Sequence, residues 1–355
     1  MKKLIGLQWA RAIAAVMVVV THAIVHPSPA AHGAAHLGGR FGVTLFFVIS
    51  GYIMVVTTGQ GGFDPVRFMR RRLLRVAPLY YVATAVAALA ALAIPWAFKD
   101  TVIDLRHIVS SLLFVPMYEP GSSGQITPFL KLGWTLNYEI FFYVVFACLA
   151  AFGAWSRAVA LTVVFGALVG LGLVFDFPWA PAQFYTRIVM IAFVAGVWIA
   201  VLARPDAPSL PVPLAMAGLG VSAVSLGAMA VMYVAVETRL MTEFWLVGTC
   251  ALIVLCLSRA PEAWTRAAPP VLAYLGDASY AIYLFHMFAV GLTYVLVRKF
   301  VPEGLNLPAL WPAVVAAASG VGVGLTVHRL IETPMTAALA PLHGPKPQVG
   351  TPPGA

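Results

Sequence analysis

The apolar stretch WARAIAAVMVVVTHA, residues 9–23, indicates how this chain folds. It reads as a membrane span, yet it contains two ionisable residues, Arg11 and His22. In an α-helix their separation brings His22 back to within roughly 20° of Arg11, about 16 Å further along the axis. Ionisable side chains inside a bilayer are costly and are functional candidates by default. The structural alternative is that Arg11 extends to the cytoplasmic interface while His22 hydrogen-bonds a neighbouring helix.

The composition of the whole chain predicts an all-α, polytopic integral membrane protein. Of its 355 residues, 61% are hydrophobic and 10% are charged, and the mean hydropathy is +0.91. Soluble domains have a very different balance. Hydropathy predicts about ten transmembrane helices long enough to cross a bilayer. They lie near residues 6–24, 41–58, 76–95, 138–153, 157–175, 187–203, 212–234, 244–258, 274–297 and 309–327.

The sequence indicates no separate soluble domain. Residues 1–341 are predicted to form one membrane domain, and the Pro- and Gly-rich residues 342–355 are predicted to be a disordered cytoplasmic tail. The longest segment outside the spans, residues 96–137, is predicted to form a lid or re-entrant element on the outer side.

The net charge of +9 is explained by topology. With Lys2 and Lys3 inside, thirteen of the 22 Lys and Arg residues fall in predicted cytoplasmic segments and eight on the opposite side. Cytoplasmic loops carry the excess of Lys and Arg, so both termini are predicted to be cytoplasmic, and the predicted surroundings are a lipid bilayer and no nucleic acid. A secretory signal peptide is the alternative reading of the start, but Arg11 interrupts its apolar region.

No metal ion and no disulfide are predicted. The three cysteines have no zinc spacing and an odd count, and all lie in apolar segments: Cys148, Cys250 and Cys256. His32 and His36 are four residues apart, but the neighbouring Pro and Gly residues argue against a helix that would hold a metal there. His328 and His343 are expected to be solvated.

The run RFMRRRLLRVAPLYY, residues 67–81, places five arginines on the cytoplasmic side just before the third predicted span. Topology and contact with lipid headgroups explain positive charge at this position. However, five arginines without a lysine also suit multidentate binding of phosphates, as in a nucleotide-bearing cofactor.

Two further motifs place polar side chains in apolar surroundings. In GWTLNYEIFFY, residues 133–143, Glu139 lies near the outer start of a span, beside the polar and aromatic side chains of Trp134, Asn137 and Tyr138. In LGDASYAIYLFHMF, residues 275–288, Asp277 or Ser279 is expected to cap a helix that carries His286 to the middle of the bilayer. The alternatives are a solvated carboxylate and a structural hydrogen bond from the histidine.

Together these motifs resemble the membrane-bound acyltransferase family 3, in which many members O-acetylate bacterial surface polysaccharides. The resemblance spans nearly the whole chain. Within the family, the block GWTLNYEIFFY looks most like that of the succinoglycan-type exopolysaccharide O-acetyltransferases of rhizobia. The family resemblance is carried by Arg11 and His22, FFVISG at 46–51, Arg72 and Arg75, WTLNYE ending at Glu139, YLGDASYAIYLFH ending at His286, and IETP at 331–334.

The resemblance implies a membrane O-acyltransferase in the inner (cytoplasmic) membrane of a bacterium. Its donor would be cytoplasmic acetyl-CoA, and its acceptor a hydroxyl of an exopolysaccharide or of a lipid-linked oligosaccharide. Attack of a hydroxyl on a thioester needs a base, stabilisation of the oxyanion and a site for the cofactor. His22 is the expected general base or transient acyl acceptor, with Glu139 orienting His22 or the acceptor, and His286 hydrogen-bonding the thioester or the sugar.

The remaining roles follow the same resemblance. Arg11 is expected among the catalytic residues and at the donor. The acceptor is expected to contact Trp134, Asn137 and Tyr138. Ser50 is expected either to allow close helix packing or to make a polar contact in the site. The expected acetyl-CoA phosphate clamp consists of Arg70, Arg71, Arg72 and Arg75. A secondary transporter or flippase for a glycan or small anionic substrate is the main alternative, because intramembrane Arg, Glu and His also line transport paths.

Overall fold

The computed structural model describes residues 5–27, 33–97, 101–203, 208–235, 239–267, 269–302, 308 and 310–343. Within these ranges the chain is helical, and its only β-pairing is an isolated bridge between Tyr118 and Ile126. The α-helices are α1 Ile5–Val25, α2 Gly33–Thr58, α3 Pro65–Ala93, α4 Leu105–Leu112, α5 Trp134–Cys148, α6 Ala154–Val174, α7 Ala180–Tyr185, α8 Ile191–Leu202, α9 Val212–Ala235, α10 Arg239–Ser258, α11 Glu262–Ala267, α12 Pro270–Phe300, α13 Trp311–Val327 and α14 Thr333–Leu339. Short 3₁₀ turns and one π-helical turn, His328–Glu332, join or extend them.

The all-α, multi-span membrane fold is confirmed. Eight helical segments in the described ranges are long and apolar enough to cross a membrane. The ten predicted spans each coincide with a helix, but two of these helices, α5 and α8, have only 15 and 12 residues. The number of ten crossings and the cytoplasmic position of both termini stay predictions, as do the domain boundaries. Most of the predicted tail lies outside the described residues.

Helices α2, α3 and α12 are among those that begin earlier than the hydropathy pattern predicted. Helix α2 begins at Gly33, because the histidine- and glycine-containing segment before residue 41 continues the helix. Helix α3 begins at Pro65, where the carboxylate of Asp64 accepts hydrogen bonds from two backbone N–H groups and caps it. The arginine run therefore lies inside α3. Helix α12 begins at Pro270, so the expected cap at Asp277 or Ser279 is wrong.

Helices α1, α2, α8, α12 and α13 form the closely packed centre of the bundle. Close approach is possible where glycine faces backbone: a Cβ on Gly196 of α8 would overlap the carbonyl oxygen of Val48 in α2, and a Cβ on Gly276 of α12 would overlap that of Gln8 in α1. Lipid tails are as apolar as the helices, so such tight van der Waals packing is a main source of helix association in membranes. This packing brings α1, α2 and α12 together around the polar residues described below.

Residues 101–133 form an ordered segment, called here the outer segment because the sequence-based topology assigns it to the outer side. Leu105 and Val109 of its helix α4, and Leu113 directly after the helix, are exposed at a spacing of four residues. The rest of the segment is held by side chains: Glu119 accepts hydrogen bonds from Lys131 (2.8 Å) and Thr127 (2.8 Å). The prediction that this segment forms a lid or re-entrant element stays open.

Candidate active site

A cavity of about 140 Å³, called here the inner cavity, lies on the side that the sequence-based topology assigns to the cytoplasm. Five helices line it, namely α1, α2, α3, α5 and α12. Its charged and hydroxyl-bearing residues include Arg11, Ser50, Arg72, Arg75, Glu139 and Ser279. Three arginines and one carboxylate on its wall make this a cavity suited to a polar, anionic ligand.

Arg11 reaches this cavity from α1 without a hydrogen-bond partner among the described residues. Ser279 also lines the cavity, and its Oγ is fully buried without a hydrogen-bond partner there. Buried polar groups in proteins are nearly always hydrogen-bonded, because an unmade bond costs about 1–3 kcal/mol. The buried Ser279 hydroxyl and the half-buried Arg11 guanidinium, on one cavity wall, indicate that a polar ligand or water completes their hydrogen bonding.

Glu139 lies in the inner cavity and not beside His22. Its carboxylate accepts hydrogen bonds from Ser50 Oγ (3.1 Å) and from the Tyr143 hydroxyl. The expectation that Glu139 orients His22 is therefore wrong in this structure, since the two residues line different cavities. Ser50 contributes a polar contact in the site, the less favoured of its two expected roles, while the neighbouring Gly51 makes the close packing contact with the Phe193 carbonyl of α8.

The arginine run divides between two environments. Arg72 and Arg75 line the inner cavity, and Arg72 donates a hydrogen bond to Thr57 Oγ1 (2.6 Å). Arg70 is exposed on the surface, and Arg71 is half-buried without lining the cavity. Positions 72 and 75 share one face of α3 and position 70 lies on the opposite side, whereas Arg71 lies one turn before Arg75 but is not among the lining residues. The structure therefore brings only half of the expected four-arginine clamp to the cavity.

Arg75 also belongs to an ion-pair network around the buried Glu332. Glu332, only 3% exposed, lies 3.2 Å from Arg75 and 2.7 Å from Nδ1 of His328. The expectation that His328 is solvated is wrong, because its side chain is 14% exposed and paired. Glu332 is a site residue that the sequence reasoning missed, although its motif, IETP, was among those that carried the family resemblance.

A second and larger cavity, of about 710 Å³, lies toward the opposite side and is called here the outer cavity. His22 lines it, together with Trp134 and Tyr138, two of the three residues expected at the acceptor. Asn137, the third, is buried and lines neither cavity. Charged residues also line the outer cavity: Arg40, Asp176, Arg187 and Glu243. The guanidinium of Arg40 forms an ion pair with Glu243.

The two cavities are separated by a thin wall. Val43 of α2 and Tyr283 of α12 line both of them. The hydroxyl of Tyr283 is hydrogen-bonded to the Leu132 carbonyl (2.9 Å) and to Thr135 Oγ1 (2.9 Å), which fixes the ring in place. No sequence pattern pointed to Val43 or Tyr283, because nothing in an apolar segment marks which residue lies between two cavities.

His286 is fully buried and contacts His22 directly. Its Nε2 lies 3.1 Å from Nδ1 of His22, and the rings are 5.0 Å apart at their centroids. His286 lines neither cavity. The expected contact of His286 with a thioester or sugar therefore has no support in the geometry. The structure instead joins the two histidines, from α1 and α12, into a pair at the inner edge of the outer cavity.

This arrangement offers an imidazole base facing one cavity and arginines facing another. The base can accept a proton from a hydroxyl bound in the outer cavity, and the arginines can hold an anionic group in the inner cavity. Such a division suits a group transfer between an anionic donor and a hydroxyl acceptor that arrive from different sides.

Comparisons with known proteins agree with this chemistry. The acyltransferase domain family matches residues 4–329. The chain is 37% identical over 300 residues to the exopolysaccharide production protein ExoZ of Rhizobium meliloti, covering 84% of this chain and 89% of the relative. It is 27% identical over 263 residues to a protein of Komagataeibacter xylinus provisionally named as the membrane-bound transacylase BcsY, covering 70% of this chain and 66% of the relative. No solved structure matches the chain.

The family match covers nearly the whole chain, including the helices that build both cavities. It therefore applies to the site as well as to the fold. The protein is a multi-span membrane protein, and it belongs to the acyltransferase family 3.

Proposed function

We propose that this protein transfers an acetyl group from acetyl-CoA, bound from the cytoplasmic side, to a hydroxyl of an exopolysaccharide or its lipid-linked precursor in the outer cavity. The observation that carries the proposal is that Arg11 and His22 of one helix line two separate cavities that share the wall of Val43 and Tyr283. The resemblance to an exopolysaccharide production protein supports the choice of acceptor. The proposed location is the cytoplasmic membrane of a bacterium.

The charged and polar residues of the inner cavity suit the phosphate and amide groups that an acetyl-CoA donor carries. When bound, acetyl-CoA supplies the acyl group as a thioester. Arg72 and Arg75 would hold its phosphates, because guanidinium groups bind phosphate oxygens through paired, charge-assisted hydrogen bonds. Arg11 and Ser279 have unused hydrogen-bonding groups that face the same cavity, and they would bind the polar pantetheine arm.

The residues of the outer cavity fit a carbohydrate. Its volume of about 710 Å³ lies within the range of small-molecule sites, roughly 300–1,000 Å³. Trp134 and Tyr138 offer aromatic surface to the apolar face of a sugar ring, while Arg187 and Asp176 offer polar groups to its hydroxyls. A finished polymer and a lipid-linked unit both present such rings.

The chemical step uses His22 as general base. The acceptor hydroxyl loses its proton to His22 as its oxygen attacks the acyl carbon, so that a C–O bond forms and the C–S bond of the thioester breaks. The proton then passes from His22 to the departing thiolate, which leaves as a thiol. General base catalysis of this kind contributes about 10²- to 10⁴-fold to a rate.

A transporter or flippase for a glycan or small anionic substrate is the second candidate. Two cavities on opposite sides of a thin wall also fit a substrate path with alternating access. The two functions differ in their products. A transporter moves its substrate unchanged, whereas an acyltransferase leaves an ester on the acceptor and a free thiol on the donor.

The decisive experiment starts from deletion of the gene in the producing strain. The O-acetyl content of the surface polysaccharide is measured by NMR before and after complementation with the wild type, His22→Ala or Arg11→Ala. We expect deletion to remove O-acetyl groups, the wild type to restore them and both variants to fail. Thr293→Val, which removes a buried hydrogen bond to Ser319 (2.8 Å) away from both cavities, is the control for folding. Normal acetylation after deletion, or full rescue by both variants, would refute the proposal.

A further inference from the structure

His286 makes hydrogen bonds at both ring nitrogens, although it lines neither cavity. Its Nδ1 lies 2.8 Å from the carbonyl oxygen of Tyr283 and 3.1 Å from that of Ile282. A carbonyl oxygen only accepts hydrogen bonds, so Nδ1 of His286 must carry a proton. In the neutral ring, Nε2 of His286 is then an acceptor.

The same comparison of donors and acceptors determines which ring nitrogen of His22 carries its proton. Nδ1 of His22 lies 3.0 Å from the carbonyl oxygen of Val18 and 3.1 Å from Nε2 of His286. Both of these neighbours are acceptors, so Nδ1 of His22 must carry a proton that the two share. Nε2 of His22 has no hydrogen-bond partner among the described residues, and His22 lines the outer cavity.

A second proton on His286 and a second proton on His22 would have different effects on this hydrogen-bond network. A second proton on His286 would place two N–H groups against each other at the contact with His22. A second proton on Nε2 of His22 leaves every hydrogen bond intact, and it strengthens the bond to His286 by adding charge to the donor. The network therefore tolerates a proton on His22 and disfavours one on His286.

We infer that His286 is a positioning residue, which holds the proton of His22 on Nδ1 and leaves Nε2 of His22 to accept the proton of the acceptor hydroxyl. The last part of this inference rests on the proposed acyl transfer, whereas the positions of the protons do not. In many hydrolytic and transfer enzymes a third group, often a carboxylate, orients the base. His286 would have the same role here as a neutral imidazole.

The packing around His286 keeps the pair in place. Helix α13 passes over it at Gly320, where an added Cβ would lie 3.2 Å from the Cβ of His286 and 3.1 Å from a methyl group of Val19. A side chain at position 320 would be closer than ordinary van der Waals distances, so glycine there lets α13 pack closely against the helix segment that carries His286. The side chain of His286 is fully buried, which also keeps water away from the contact between the two rings.

Two variants of His286 test the positioning role. Gln places a carbonyl oxygen near the position of Nε2 and can accept the hydrogen bond of His22, whereas Leu cannot. In proteoliposome assays of acyl transfer, we expect His286→Leu to lower kcat about 100-fold, the lower end of a general-base contribution. KM for both substrates should stay unchanged, and His286→Gln should retain most of the kcat. Thr293→Val, on the same helix, is the control for loss of a buried hydrogen bond.

A spectroscopic measurement tests the protons without any need for activity. The protein is labelled with ¹⁵N-histidine, reconstituted in bilayers at neutral pH and observed by solid-state NMR, with His22→Gln and His286→Gln used to assign the two residues. We expect both rings as neutral Nδ1–H tautomers in the wild type.

A proton on Nε2 of neutral His22, or on Nε2 of His286, would overturn the inference. Equal kcat values for His286→Leu and the wild type would overturn the positioning role even with the expected tautomers. If neither the wild type nor any variant transfers an acyl group, the proposed function fails. The NMR measurement of the tautomers still tests the inferred proton positions in that case.

Discussion

Arg11 and His22 lie on one helix, α1, but they line two different cavities, Arg11 the inner one and His22 the outer one. The helix therefore connects the side where an anionic donor would bind with the side where a hydroxyl acceptor would bind. Substitutions at its two ends should affect different substrates. The predictions below use this separation and the contacts around it.

The arginines that line the inner cavity should control donor binding. We expect Arg72→Ala to weaken acetyl-CoA binding to the purified protein about 10- to 100-fold, because charge-assisted hydrogen bonds contribute roughly 1.5–3 kcal/mol. Isothermal titration calorimetry measures the affinity. The matched control is Arg67→Ala in the same helix, since Arg67 is exposed and its nearest acid is Asp64, at 3.9 Å. Equal affinities of Arg72→Ala and the wild type would place the donor elsewhere.

Substitution of Glu332, the ion-pair partner of Arg75, separates the contribution of Arg75 to stability from its contribution to donor binding. Arg75→Ala leaves Glu332 buried with His328 as its remaining partner, and should cost roughly 1–3 kcal/mol. Adding Glu332→Gln should recover most of this loss, but not the affinity for acetyl-CoA. Thermal unfolding in detergent and the calorimetric affinity are measured on the single and double variants. A double variant that regains affinity together with stability would show that Arg75 acts only as a structural partner.

The wall between the cavities should control transfer but not binding. Val43→Phe adds bulk to the residue of α2 that lines both cavities, so we expect the acyl transfer rate to fall while acetyl-CoA affinity stays near that of the wild type. Val56→Phe, at a half-buried position of the same helix that lines neither cavity, controls for overpacking, which typically costs about 1–3 kcal/mol. Undiminished transfer in Val43→Phe would mean that the acyl group crosses at another place.

The contact between α2 and α8 should be sensitive to a single methyl group. Gly196→Ala places a Cβ against the carbonyl oxygen of Val48, so the helices must separate and the thermal unfolding temperature should fall. Gly220→Ala in α9 is the matched control, because a Cβ at that helical position meets open space and alanine favours helix. Equal unfolding temperatures of the two variants would argue against tight packing at Gly196.

The outer segment should lose stability in acid. Burial by itself raises the pKa of Glu119, but hydrogen bonds from Lys131 and Thr127 outweigh it and hold the pKa below the usual value of 4.5. A carboxylate with a lowered pKa stabilises the fold at neutral pH, and this contribution is lost as the pH falls through the pKa of the folded state. The protection factors of the backbone amides in residues 118–131, which compare hydrogen exchange with the intrinsic rate at each pH, should therefore fall below about pH 4.5. Glu119→Gln should remove most of this pH dependence, and an unchanged profile in that variant would assign it to another group.

Local sequence accounts for a large part of the fold. Apolar runs of membrane length predicted the helices, and Asp64 before Pro65 is a recognisable helix start. The order of the motifs from Arg11 to IETP indicated the family, which the comparison confirms. Helix ends were less predictable, since α2 continues through a glycine- and histidine-containing segment that hydropathy alone assigns to a loop, and α12 begins at Pro270, before its predicted span.

The sequence by itself determined that the chain is a helical membrane protein and that Arg11 and His22 share one helix, because hydropathy and helical periodicity are local properties. Only the tertiary structure decided their partners: His22 meets His286, 264 positions away, and Glu139 meets Ser50, 89 positions away. The physical reason is that lipid and neighbouring helices are equally apolar. The residue pattern of a span therefore carries little record of which face meets which helix, and close packing at small residues makes that choice.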